Sequence, residues 1–230
     1  MMDTRRTHKL IALFAAGLAF SQAVFAGPPL ICQPFIADSE PLLPWAPGRD
    51  WHSPDRGYDI RGLSTETLAL LSADAPVLAR MENMRRATIY ASQSPAVAAD
   101  LLQAVLERTK AQAPSDVPAL AWFDTGYLVE TYRQYELVGR HGMLPSGAQS
   151  APMLPGKLAT LDGYALVQKA IALAPESRAE LEFASSLMTR DSTLAAAHRE
   201  RATAAAEHDS LLARNLARHD GQASSGGGGR

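Results

Sequence analysis

Between residues 63 and 219 apolar side chains return every three or four positions, the spacing of one helix face, and no stretch alternates in the period of two that a half-buried strand requires. The pattern predicts helices only. Ser64 is expected to cap a short helix to about residue 72, with Glu66 in its first turn and Leu63 and Leu68 closing a hydrophobic staple. Asp74 is expected to cap a longer one through "APVLARMENMRRATIYAS", and Ser94–Pro95 reads as a cap followed by proline at the first helical position. The stripe Val97, Leu101, Ala104, Val105 follows. In "ALAWFDTGYLVETYRQ", residues 119 to 134, the helix is apolar on nearly every side and yet carries Asp124, Gly126 and Glu130. Residues 139 to 157, rich in Gly, Pro and Ser, predict a long loop. Helix resumes in "LATLDGYALVQKAIALA", stops at Pro175 and restarts in "SRAELEFASSLMTR". Asp191 or Ser192 then caps a last, Ala-rich helix over residues 192 to 219, and residues 220 to 230 form a tail with nothing to bury.

The region before residue 63 follows other rules. Residues 27 to 62 carry Pro28, Pro29, Pro34, Pro41, Pro44, Pro47 and Pro54, which lack amide donors and push their predecessors to extended shapes. Phe35, Trp45, Trp51 and Tyr58 stand among them, so the segment is expected as an extended arm packing its aromatics on the helical body as a built-in lid or cap. Residues 1 to 26 join Arg5, Arg6 and Lys9 to an apolar run from Leu10 to Phe20 and to small residues ending at Ala26, the pattern of a cleaved secretory signal. The run is shorter than the roughly 20 residues of a membrane span. The protein is therefore expected to be exported, periplasmic or extracellular, with no transmembrane segment once the signal is gone. The paired arginines suggest twin-arginine export, but His8 and Lys9 occupy positions where that signal has apolar residues.

Composition narrows the field. Of 22 basic and 24 acidic side chains, removal of residues 1 to 26 takes Arg5, Arg6, Lys9 and Asp3, leaving a mildly acidic chain of 19 and 23. No basic tract remains to follow a phosphate backbone, which sets nucleic acid aside. Cys32 is the single cysteine of the 230 residues, so no intramolecular disulfide can form and stability must come from packing. Ile31 before it is too bulky for lipoprotein cleavage.

Internal spacing adds a resemblance. Trp122, Gly126 and Val129, a tryptophan with a small residue four on and an apolar one seven on, resemble the first helix of a tetratricopeptide repeat. Val167, Ala170 and Pro175 resemble its second helix, and Leu181, Ala184, Ser185 and Met188 restart the first. Met81, Met84, Arg85 and Thr88 fit less well, with Val97, Leu101 and Ala104 following in register. The likeness spans residues 76 to 190 as about two and a half divergent repeats. It departs where residues 139 to 157 are inserted and where Arg85 replaces a small residue. It implies an all-α fold in which antiparallel helix pairs stack as a short TPR-like solenoid, with acids falling on its inner surface. It further implies a concave groove presenting Glu82, Arg86, Tyr90, Phe123, Tyr127, Glu130, Glu182 and Arg190 to a protein or peptide partner. The opposing reading is an ordinary helical bundle with coincidental spacing.

Chemistry is harder to find. Cys32 with His52 and Asp55 lacks anything to fix its geometry. His198, His208 and His219 share the predicted last helix at spacings of ten and eleven residues, some 15 Å or more apart at 1.5 Å per residue, too far to close on one ion. No haem, phosphate-loop or zinc-protease motif occurs. The expectation is binding without catalysis, cofactor or metal. The alternative is an enzyme or small-molecule binder using His52, Asp55 and His141 between the arm and the 139 to 157 loop.

Overall fold

Helix boundaries follow from where the chain can and cannot adopt helical dihedrals. The computed structural model describes residues 30–47, 51–110, 117–146, 148, 153–154, 156–208 and 210–225. The expected signal segment and the last five residues of the tail lie outside them. Among the described residues there are eight α-helices and no strand, so the protein is all-α.

A single 3-10 turn, Ile60–Gly62, runs straight into α1 (Leu63–Leu70). Ser64 is thus already inside the first turn, and instead of capping, its hydroxyl donates to Asp100 of the next-but-one helix. Asp74 does not cap α2 either. Ala75 precedes Pro76 and is kept from the helical region, so α2 (Val77–Ala91) begins behind Pro76. Ser94 does cap α3 (Pro95–Glu107), its oxygen accepting the Val97 amide. The aromatic stretch forms α4 (Ala119–Arg140), ended by Gly142 at φ +67°, where the Met143 amide returns to the Val138 carbonyl. The loop beyond is not free of the body: the buried Met153 and Leu154 donate their amides to Glu136 Oε1 on α4.

A 3-10 turn over Gly156–Thr160 takes the first residues of the predicted next helix. The helix proper, α5 (Gly163–Leu173), starts where Asp162 accepts the Ala165 amide. Pro175 opens another 3-10 turn before α6 (Arg178–Met188). Asp191 caps α7 (Ser192–Ala205) through the Thr193 and Leu194 amides. The single long last helix expected from the sequence is instead two. Ala206 is extended, and Ser210 Oγ accepts the Ala213 amide to start α8 (Leu211–Ser225). That break turns Leu212 and Leu216 into the core and carries the helix past residue 220.

Helices α4 and α5 lie against each other, as do α6 and α7, while α2 packs on α4. At the α4–α5 crossing two glycines meet: a Cβ on Gly126 would fall 2.4 Å from the Gly163 carbonyl oxygen. Val129, Val167, Ala170 and Leu181 are fully buried, Trp122 is half-buried under the Lys169 ammonium, and Pro175 is exposed at its turn. Between α2, α4 and the end of α3 sits a buried ionic group. Asp124 Oδ2 accepts from Arg80 at 2.7 Å and from Arg108 at 2.6 Å, while both guanidiniums also cap the Leu71 carbonyl at the end of α1. Asp124 is therefore inside the body and not on an inner surface; Arg80 and Arg108 offset part of the cost, but burial still raises its carboxyl and leaves Oδ1 without a partner.

Candidate functional site

The arm finds its partner on α2. Residues Glu82, Asn83, Arg85, Arg86 and Tyr90 lie at positions that a 3.6-residue period gathers on one side of the helix, and each of the five bonds to a main-chain atom of the arm. Glu82 Oε2 accepts the Phe35 amide at 3.0 Å. Asn83 takes the Leu43 amide on its Oδ1 at 2.9 Å and donates to the Pro41 carbonyl at 3.1 Å. Arg85 donates to the Trp51 carbonyl and Arg86 to that of Leu43. Tyr90 donates to the Pro44 carbonyl at 2.6 Å and accepts the Asp55 amide at 2.9 Å. These are bonds that any extended peptide could make, since they read backbone and not side chain.

A second wall comes from α8. Asn215 repeats the clamp, accepting the Ile36 amide at 2.9 Å and donating to the Ile36 carbonyl at 3.0 Å. Arg218 donates to the Pro34 carbonyl, and Arg214 forks onto both oxygens of Asp38. Side chains of the arm then fill sockets. Phe35 packs edge-on to Phe183 and flat against His219, Leu43 is buried, and Trp45 lies with the Arg85 and Arg86 guanidiniums 4.9 and 5.5 Å from its ring centre. Tyr58 leans on Tyr90.

The electrostatics suit a fixed, charged bed. Burial opposes the charge of Glu82, but Arg85 and Arg86 outweigh it and hold the carboxyl below its ordinary range. All of its oxygen positions are used: Oε2 by Phe35 and Arg85, Oε1 by Arg85 and Arg86. Burial pushes the Tyr90 hydroxyl up, so it stays a donor. Burial also raises the Cys32 thiol to about 11, against a smaller opposing pull from Arg85, which leaves a protonated sulfur and no nucleophile.

Of the residues expected to line a groove, Glu82, Arg86 and Tyr90 come together here, beneath the arm. Phe123 and Tyr127 are wholly buried in the core and offer no surface. Glu130 is tied to Arg133 beside the Gly163 amide, and burial raises its carboxyl. Glu182 belongs to another cluster, 2.5 Å from His198 Nδ1 and 2.9 Å from Arg201, with the far ring nitrogen of His198 2.6 Å from the Tyr164 hydroxyl. That cluster borders an open cleft of about 550 Å³ between α6 and α7. Arg190 is exposed beyond the end of α6. Asn83, Arg85, Asn215, Arg218 and His219 escape the reading by repeat positions. Asparagine inside a helix is the signal that could have found two of them, because it favours caps and turns over helix interiors unless its amide is otherwise employed.

The residues of the alternative site each have a place of their own in the structure. His52 bonds and stacks on Tyr135, the Asp55 carboxylate folds onto the Gly57 amide, and His141 stands exposed at the end of α4. No group of three or more potential metal ligands occurs among the described residues, and no described helix is long and apolar enough to cross a membrane. Comparison with known protein families, with curated proteins and with solved structures finds no match.

Proposed function

We propose that this is an exported helical-repeat protein that binds an extended segment of a protein partner, without catalysis, in the groove between α2 and α8, and that its own arm occupies that groove as an intramolecular ligand. The observation carrying this reading is the set of side-chain bonds from Glu82, Asn83, Arg85, Arg86, Tyr90 and Asn215 to arm main-chain atoms. A segment needed only as core filler is held by its apolar side chains; a bed that also reads backbone in both directions is suited to strands of other sequence. The pairing of α4 with α5 across Gly126 and Gly163, and of α6 with α7, supports TPR-like stacking of helix pairs. The basic, apolar and small-residue sequence of residues 1 to 26 supports export, and the secreted chain is expected to begin at Gly27.

A synthetic peptide of residues 30 to 47 tests the groove. Weakening the arm with Phe35→Ala and Leu43→Ala should let the peptide bind in trans with micromolar affinity by calorimetry. The unaltered protein, whose tethered arm competes at an effective concentration near millimolar, should bind it at least tenfold more weakly. A weakened variant that keeps its helical circular dichroism and takes up no peptide would refute the reading.

A further inference from the structure

His219 sits at the place where arm, α6 and α8 meet. Its ring lies flat against Phe35 of the arm, 5.3 Å between centres at 22°, and edge-on to Phe183 of α6 at 5.2 Å. It is 6% exposed, and its Nε2 is buried with no hydrogen-bond partner. An imidazole in such a socket is tolerated only when neutral. A proton on Nε2 would place a positive charge and an N–H donor between two phenyl rings with nothing to receive them.

The surroundings make that worse rather than better. From α7, Arg199 lies over Phe183 and donates to the Leu216 carbonyl and to Asp220. From α8 itself come Arg218, bound to the Pro34 carbonyl, and Asp220, already engaged by Arg199. The arm contributes Asp38, paired with Arg214. On α6, Glu182 is taken by His198 and Arg201. The cations Arg199 and Arg218 thus face the ring, and the nearby acids are committed to other partners.

We infer that protonation of His219 drives its ring out of the socket and loosens the arm from α8, so that occupancy of the groove is acid-sensitive. Desolvation first, then Arg199 and Arg218, lower the imidazole from 6.5 to about 4 while the arm is docked. Release of Phe35 opens one face of the ring to water and restores its ordinary affinity for protons. The sign follows: a group whose pKa is depressed in the docked state favours docking above pH 6.5 and loses that contribution as pH falls towards 4. The carboxylates that hold the arm titrate below this window. Asp38, held below its usual value by Arg214, and Glu82 keep their bonds to the arm side through it.

The inference rests on the reading that the arm can leave its bed, and its test reads the arm alone, so that a failed peptide-binding experiment and a failed switch remain distinct. Hydrogen exchange of the Phe35 and Ile36 amides, corrected for intrinsic rate, should show protection falling roughly 20-fold between pH 7 and pH 5 in the full chain. His219→Phe, which keeps a ring in the socket, should make protection flat over the same range. Direct NMR titration of the His219 ring in the unaltered protein supplies a second readout that needs no variant. A midpoint near 6.5, or equal pH dependence in the His219→Phe chain, would overturn the inference.

Discussion

Single residues in this protein carry charge where most proteins place hydrocarbon. Asp124 is wholly buried and shares one oxygen between Arg80 and Arg108, whose remaining donors close carbonyls at the end of α1. Such a group adds little net stability over an apolar equivalent, but losing one member strands the rest. Asp124→Ala is therefore expected to cost about 3 to 5 kcal/mol in urea unfolding, because Arg80 remains buried with its charge uncompensated. A loss under about 1 kcal/mol would mean that Arg80 reaches water readily. Glu82 differs in kind: it has lost the solvent and gained four donors, one of them the Phe35 amide, so its burial is matched atom for atom.

Elements obey their local chemistry where backbone rules are decisive and escape them where tertiary contacts take over. Ser94, Asp162 and Asp191 cap the helices behind them because each side-chain oxygen meets an orphan amide two or three residues on. Ser64 and Asp74 look the same in sequence and do not cap, one overtaken by the preceding 3-10 turn and the other by the constraint that Pro76 puts on Ala75. The break between α7 and α8 is invisible to periodicity, since Ala-rich segments on both sides keep a helical pattern through residues 206 to 210. Helical spacing places Glu82, Arg86 and Tyr90 on one side of α2, but what covers that side could not be read, because the arm has no period of its own. The α4–α5 crossing offers a test at this scale. A methyl at Gly126 would meet the Gly163 carbonyl at 2.4 Å and the Leu166 and Val167 side chains at 3.0 Å. Gly126→Ala should destabilise by about 1 to 3 kcal/mol despite its better helix propensity. Gly221→Ala, with nothing within 4 Å of the added carbon, should instead be neutral or gain up to about 1 kcal/mol. Equal effects at both sites would rule out close approach as the reason for Gly126.

At the scale of the whole molecule the arm is both a part of the core and a covering wall. Ile31, Phe35 and Leu43 are 0, 5 and 1% exposed, which marks them as members of the core, while the bonds to Glu82, Asn83 and Asn215 grip the backbone between them. A segment attached in this double way should contribute to global stability without being needed for the helices to form, since α4 packs directly on α5 and α6 directly on α7. Deleting residues 27 to 44 is thus expected to lower the melting temperature by more than about 5 °C, in line with the few degrees that each lost kcal/mol removes from a chain of this length. Far-ultraviolet dichroism should keep its helical shape, and the uncovered Phe183, His219 and α2 face should bind a hydrophobic dye that the full chain excludes. Loss of all helical signal would make the arm a folding requirement and not an occupant; an unchanged melting temperature would mean that the sockets of Phe35 and Leu43 hold nothing of consequence.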